Sequence, residues 1–155
     1  MAIFCKIEDG FKEIVKDWSK VGKIIRVVIA NSDHSFVDKL VTSLQSQLNI
    51  QVVGTAFDGP GATEICADTL PDVALLSLHL PGVDGIKAAK SILDTNAQTE
   101  ILIVASHQIN SVDEYALQAL KMGAKGYLPL SASPGVVAQA IQQVFERVWL
   151  SAFNL

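Results

Sequence analysis

From residue 24 onward, five short apolar runs alternate with segments that show helical periodicity. This alternation is typical of a parallel α/β sheet, in which a helix connects each strand to the next. The second to fourth runs are almost continuously Val, Ile, Leu and Ala, so we expect those strands to be covered on both faces. The last run is short and suits an edge. The predicted strands of this doubly wound sheet are Ile25–Ala30, Gln51–Ala56, Val73–Leu76, Ile101–Val104 and Gly126–Leu128.

Apolar residues between these runs recur at three- and four-residue steps and predict three amphipathic helices. Their apolar stripes are Phe36, Leu40, Val41, Leu44 and Leu48; Val112, Tyr115, Ala119 and Leu120; and Val137, Ile141, Val144 and Val148. Two weaker helices are predicted at Ala62–Thr69 and Gly85–Asp94. Asp84 and Ser133 stand at N-cap positions, and Pro134 stands at the first helical position.

The first 23 residues lie outside the alternating pattern. Phe11, Ile14, Val15 and Trp18 follow the i, i+3, i+4, i+7 spacing, which predicts an amphipathic helix over Glu8–Lys20. We expect this helix to fold back on its own domain; the alternative is a helix that docks on a partner or a second copy. The predicted organisation is an extension at 1–23, a domain at 24–148 and a tail at 149–155.

Composition limits the classes of function. A chain of 155 residues, 50% apolar and 18% charged, fits one domain and excludes general disorder. Mean hydropathy is +0.35, yet no uncharged apolar run approaches the roughly 18 residues that span a membrane. The net charge of −4 provides no basic field, so we expect no direct nucleic-acid binding by this chain. Cys5 and Cys66 form no motif and no signal peptide is evident, which favours the cytoplasm.

In an open parallel sheet, ligands bind beyond the carboxyl ends of the strands. We therefore expect the residues that follow the first, third, fourth and fifth strands to line one shallow crevice. They are Asn31, Ser32, Asp33 and His34; Ser77, Leu78 and His79; Ala105, Ser106 and His107; and Pro129 and Leu130.

Two segments resemble the response-regulator receiver family, and the resemblance covers about four-fifths of the chain. Pro71–Gly85 (PDVALLSLHLPGVDG) is similar to the family's segment around its phosphorylated aspartate, and Ala119–Leu128 (ALKMGAKGYL) to its fourth helix and fifth strand. The resemblance implies a CheY-like (flavodoxin-like) sheet with strand order 2-1-3-4-5. Residues 140–151 further resemble the end of the last helix and the linker in LuxR-type (NarL) regulators, where a helix-turn-helix normally follows.

The family's functional residues, carried over one at a time, are replaced here. Asn31 and Ser32 stand where the family has two acids that help hold magnesium, and Ser77 replaces the phosphorylated aspartate. Ala105 replaces the Ser or Thr that contacts the phosphoryl group, and Leu130 replaces the lysine. The resemblance therefore implies a degenerate receiver, a pseudo-receiver, whose phosphorylation site has been lost.

Elementary chemistry leads to the same expectation. Mg²⁺ prefers carboxylate and phosphate oxygens, whereas Asn31 and Ser32 offer neutral dipoles and Asp33 comes one place too late. The Ser77 hydroxyl must lose its proton before it can attack, and no basic partner is evident at the correct spacing. We expect no bound cofactor. We also expect no enzymatic activity, because the sequence shows no nucleophile–base pair, paired carboxylates or phosphate-binding glycine loop.

The aromatic position on the family's last strand is kept as Tyr127. The resemblance implies that protein partners, or a second copy in a homodimer, dock on the fourth helix, fifth strand and fifth helix. Tyr115, Gln118 and Gln139 fall on this predicted interaction face. The simpler interpretation of its glutamines is ordinary solvated surface.

Two further interpretations stay open. The chain could be the regulatory part of a LuxR-type transcriptional regulator, its DNA-binding domain absent from these residues. Alternatively, His34, His79 and His107 could hold Zn²⁺ or a small ligand together with Asp33 or Asp84. Solvent-facing loop histidines are the simpler interpretation of that set, so the principal expectation is no metal.

Overall fold

The computed structural model describes residues 23–105 and 117–150, with side chains as far as residue 146. Its parallel sheet has the strand order β2-β1-β3-β4-β5, which confirms the predicted fold class. All five predicted strands are confirmed, each to within one residue at either end. They are β1 Ile25–Ala30, β2 Ile50–Ala56, β3 Val73–Ser77, β4 Glu100–Ala105 and β5 Gly126–Pro129.

Helices follow the strands as the sequence predicts. They are α1 (His34–Gln45), α2 (Gly59–Thr69), α3 (Gly85–Thr95), α4, of which residues 117–121 are described, and α5 (Pro134–Leu150). The predicted caps hold. Asp84 accepts the Lys87 amide at 2.9 Å, and the Ser133 hydroxyl oxygen accepts the Val136 amide at 3.3 Å. Among the described residues, no helix is long and apolar enough to cross a membrane.

Alternate residues of each strand point to opposite faces of the sheet, and each face has its own core. Val73 and Leu75 of β3 face α1 and α5, and we call this side the large-residue face. Ala74 and Leu76 face α2, α3 and α4, and we call this side the alanine-rich face. Cys66 lies in the second core and is 3% exposed.

Three expectations about burial were wrong. β2 is an edge strand, so most of its side chains are half-buried or exposed rather than covered on both faces. Leu48 lies beyond the end of α1 and is 99% exposed, because the chain has already turned toward β2. Leu120 is 50% exposed, whereas its neighbour Ala119 faces the sheet and is buried.

Several predictions fall outside the described residues and stay predictions. They concern the helix at Glu8–Lys20, the residues Cys5, Ser106, His107, Val112 and Tyr115, the side chain of Val148 and the tail beyond residue 150.

Candidate functional site

The carboxyl edge of the sheet brings together the positions that the sequence singled out. Asn31 directly follows β1, Ser77 ends β3, Ala105 ends β4 and Leu130 directly follows β5. Strands β1, β3, β4 and β5 are successive neighbours, so these positions lie side by side along one edge. The Leu130 amide donates to the Ala105 carbonyl at 2.7 Å, which extends the ladder by one residue.

Asn31 serves the local backbone. It is 6% exposed, and its backbone N–H donates to the Ala56 carbonyl at 3.1 Å. Its side-chain oxygen Oδ1 accepts the Asp33 amide at 2.8 Å, which closes the turn into α1. The side-chain oxygen of this position is therefore already used within the fold, and the next residue, Ser32, is exposed.

Three aspartates near this edge act as helix N-caps. An N-cap carboxylate satisfies one of the amides left without a partner in the first helical turn, and its negative charge suits the helix N-terminus. Asp84 was predicted in this role, whereas the caps at Asp33 and Asp58 were missed, although Pro60 just inside α2 was a usable signal. Asp33 accepts from Phe36 at 3.2 Å, Asp58 from Gly61 at 2.6 Å and Asp84 from Lys87 at 2.9 Å.

Ser77 is half-buried at the end of β3, where its backbone pairs with Val104 of β4. Its hydroxyl donates to the His79 carbonyl at 3.4 Å, a long hydrogen bond within the same loop. Gly85 closes this loop, since its amide donates to the Leu78 carbonyl at 2.8 Å. A methyl group on Gly85 would overlap the Ser77 carbonyl oxygen, so the start of α3 is held directly against this position.

A shallow cavity of about 270 Å³ lies beside Ser77, between the β3–α3 loop and α4. It brings together four residues named from the sequence, Leu78, His79, Asp84 and Gln118. Lys87, which the sequence analysis did not single out, adds a positive charge. The described residues that line it are Leu78, His79, Asp84, Ile86, Lys87 and Gln118.

The histidines occupy different surroundings. His34 is the first residue of α1 rather than a loop residue, and its ring stacks on Phe57 with centroids 3.7 Å apart and planes 3° from parallel. His79 is exposed in the β3–α3 loop. Within 23–105 and 117–150, no three His, Cys, Asp or Glu side chains are placed to share a metal ion.

Tyr127 lies on the edge strand β5, and its ring packs against the alanine-rich face. Its hydroxyl oxygen is buried and makes no hydrogen bond to the described part of the chain. Burial raises the pKa of this phenol above its usual value. Of the other residues predicted for the interaction face, Gln118 and Gln139 are exposed.

The same face carries exposed apolar side chains that the sequence analysis did not assign to it. Leu117 and Leu120 of α4 are 57% and 50% exposed, and Val136 of α5 is 45% exposed. We call Leu117, Gln118, Leu120, Tyr127, Val136 and Gln139 the α4–β5–α5 face.

Comparison with known proteins agrees with this geometry. Residues 27–142 match the family described as Response regulator receiver domain. The chain belongs to this family, the receiver module of two-component signalling. "Probable transcriptional regulatory protein NarL" of Mycobacterium tuberculosis is 34% identical over 119 residues, which are 76% of this chain and 53% of that protein. "Response regulator UvrY" of Escherichia coli is 31% identical with the same coverage. The chain thus spans about half the length of these relatives.

Solved structures show the same receiver fold. The signal receiver domain of the putative response regulator NarL from M. tuberculosis superposes with a TM-score of 0.72 at 30% identity. The superposition covers 80% of this chain and 98% of that one. A LuxR-family response regulator from Aurantimonas gives 0.73 at 28% identity and covers 79% and 86% of the two chains.

The magnesium ion implied by the resemblance requires hard, charged oxygen ligands. Asn31 provides an amide oxygen that already accepts a hydrogen bond, and Ser77 provides a neutral hydroxyl. The nearest acid in sequence, Asp33, caps α1. These side chains do not fit a divalent-cation site of the receiver kind.

Proposed function

We propose that this receiver domain is a pseudo-receiver, which acts in signal transduction through protein–protein contact without accepting a phosphoryl group. The observation that carries the proposal is Ser77 at the end of β3, flanked along the edge by Asn31, Ala105 and Leu130. A carboxylate attacks phosphorus as an anion, whereas a serine hydroxyl must first be deprotonated. None of these flanking side chains is a base.

The charge balance of this edge supports the proposal. Phosphoryl transfer depends on positive groups that neutralise the oxygens of the transferred group. Leu130 is apolar and 37% exposed where the resemblance places a lysine. Lys87 lines the neighbouring cavity, but it lies in α3 rather than after β5. The Asp84 carboxylate lines the same cavity. We propose on these grounds that the domain is not an enzyme.

A protein partner or a second copy is the proposed ligand of the α4–β5–α5 face. Its exposed leucines and valine offer apolar area that a partner can bury, as in the core of an interface. Since no phosphate biases the domain, a partner would select a conformation only through unequal affinity for two states. We further propose a cytoplasmic location and no direct nucleic-acid contact by these residues.

An amide NMR titration with Mg²⁺ and beryllofluoride, a phosphoryl mimic, tests the loss of the phosphorylation site. We expect the amides of Asn31, Ser77, Ala105 and Tyr127 to keep their chemical shifts. Incubation with acetyl phosphate, followed by intact-mass measurement, should add no phosphoryl group. Concerted shifts or a gain of mass in the natural sequence would overturn the proposal.

A restored variant is the matched control, because it returns the family's residue types to the same backbone. It should respond to beryllofluoride and so show that the assay detects a working site. The substitutions are Asn31→Asp, Ser32→Asp, Ser77→Asp, Ala105→Thr and Leu130→Lys.

The relatives favour a second candidate, in which these residues are the regulatory part of a longer transcriptional regulator. The curated relatives named above are about twice as long as the matched region, and one is named as a transcriptional regulatory protein. The intact mass of the endogenous protein tests this candidate. A mass well above 16.6 kDa supports it, and a mass of 16.6 kDa excludes it.

A further inference from the structure

The amino edge of the sheet, opposite the candidate site, carries three exposed large apolar side chains. Ile24 is 53% exposed, Leu48 is 99% exposed and Leu70 is 53% exposed. Ile24 directly precedes β1, and the other two lie in the loops that lead into β2 and β3. We call these three residues the amino-edge patch.

Hydrogen bonds tie the three positions to one another. The Ile25 amide donates to the Asn49 carbonyl at 2.8 Å, which places the residues next to Ile24 and Leu48 side by side. On the other side of β1, the Arg26 guanidinium donates to the Leu70 carbonyl at 3.1 Å. Neighbouring strands lie about 4.8 Å apart, so a patch across three strands is about 10 Å wide.

Leu70 is also in an unfavourable backbone conformation. It ends α2 with φ 48° and ψ 64°, in the left-handed region where glycine or asparagine is preferred. A leucine there strains the backbone and exposes apolar surface to water. A segment packed over the Leu70 side chain would recover part of that cost.

We propose that the amino-edge patch is covered by the chain's own N-terminal segment, residues 8–20. The predicted apolar stripe of this segment is Phe11, Ile14, Val15 and Trp18. These positions extend over seven helical steps, about 10 Å at 1.5 Å per residue, and so match the width of the patch.

The connection to the domain favours this occupant over a second copy. Only Val21, Gly22 and Lys23 separate the predicted helix from Ile24. Three residues extend at most about 11 Å, so the end of the segment is confined near the patch. Such a short tether gives an effective concentration in the millimolar range, which a separate molecule reaches only in very concentrated solution.

Paramagnetic relaxation in the full chain tests the proposal. A nitroxide is attached to Cys5; the Cys66 thiol is buried, and burial raises its pKa to about 12, so it should not react. We expect the amide signals of Leu48 and Leu70 to lose intensity, while those of Ser77 and Leu130 at the far edge keep it. Unchanged signals at Leu48 and Leu70 would overturn the proposal.

A mixed sample separates the two occupants. Chain that carries the nitroxide, at natural isotope abundance, is mixed with ¹⁵N-enriched chain that carries no nitroxide. Any paramagnetic loss of signal then arises between molecules. The proposal expects full intensity at Leu48 in this mixture. Loss of intensity there would assign the patch to the segment of a second copy and overturn the intrachain contact.

A double-mutant cycle in the full chain gives an independent readout. Leu48 is 99% exposed in the described structure, so Leu48→Gln should lower the unfolding midpoint only if another segment covers it. We expect a decrease of about 4 °C, which disappears when Trp18→Gln is already present. Leu130→Gln is the control, because it replaces an exposed leucine at the opposite edge of the sheet, and its effect should be the same with and without Trp18→Gln. A decrease for Leu48→Gln that persists when Trp18→Gln is present, or no decrease at all, would overturn the proposal.

Discussion

The two faces of the sheet are both covered by helices, but their cores differ in side-chain size. Of the sixteen buried residues that the described chain contributes to each core, one is alanine on the large-residue face and eight are alanine on the alanine-rich face. The eight are Ala30, Ala56, Ala62, Ala74, Ala89, Ala105, Ala119 and Ala124.

The two faces therefore contribute differently, one to stability and the other to close helix packing. Larger side chains remove more apolar area from water, so the large-residue face contributes more of the folding free energy per residue. Small side chains allow helices to approach the sheet closely, as at Gly85 against the Ser77 carbonyl. Ala105 and Tyr127 both belong to the alanine-rich side. The candidate site is thus shaped by close backbone approach rather than by bulky side chains.

Ile141→Ala should produce the largest effect, because it empties a fully buried position on the large-residue face. We expect the free energy of unfolding to fall by about 3 kcal/mol in urea denaturation. Val136→Ala on the same helix is the control. Val136 is 45% exposed, so its replacement should change stability by less than about 0.5 kcal/mol. Similar effects for both variants would contradict the difference in burial.

Gly85→Ala tests close packing at the alanine-rich face, because it adds a methyl group where Ile141→Ala removes side-chain atoms. The new carbon would overlap the Ser77 carbonyl oxygen and lie 2.9 Å from the Leu78 Cα. Because backbone atoms must move, we expect a loss of about 2 kcal/mol in the same denaturation experiment.

Gly135→Ala is the matched control for the added methyl group. A methyl group there would meet its nearest heavy atom, the Ser133 hydroxyl oxygen, at 4.0 Å. Gly135 lies in α5, where alanine is favoured over glycine, so this variant should be neutral or slightly more stable. A loss at Gly135 equal to that at Gly85 would show that close approach is not the cause.

Much of the fold could be predicted because the strands are short, apolar and regularly spaced. What the sequence could not specify is where a helix stops and which residue of a stripe faces the sheet. Leu48 continues the periodicity of α1, yet α1 ends at Gln45. Leu120 follows the buried Ala119 and is 50% exposed. Periodicity describes a helix face, whereas burial depends on what packs against it.

The candidate site was predictable to the extent that topology determines it. The carboxyl ends of parallel strands meet at one edge, so Asn31, Ser77, Ala105 and Leu130 had to lie there. The participation of Lys87 in the adjacent cavity was not predictable, because it depends on how α3 and α4 are placed.

Cys66 provides a pH-dependent test of the alanine-rich core. Burial raises the pKa of its thiol from 9.0 to about 12. Above pH 9 the unfolded chain therefore loses this proton while the folded chain keeps it, so stability falls as pH rises toward 12. We expect this thiol to lower the free energy of unfolding by about 1.4 kcal/mol for each pH unit in this window. Cys66→Ala should make the slope shallower by this contribution, measured from urea denaturation at several alkaline pH values. An unchanged slope would mean that water reaches the thiol.

Tyr127→Phe should have the smallest effect on the free energy of unfolding. The sign of the change shows whether the hydroxyl is hydrogen-bonded. The Tyr127 hydroxyl is buried at the alanine-rich face without a hydrogen bond to the described residues. An unsatisfied buried hydroxyl costs free energy, so its removal should raise the free energy of unfolding by up to about 1 kcal/mol. The ring itself keeps its packing in the phenylalanine variant. Urea denaturation measures the change directly, and a decrease in stability would show that the hydroxyl is hydrogen-bonded in solution. An increase would mean that the hydroxyl is buried without a hydrogen-bond partner in solution as well.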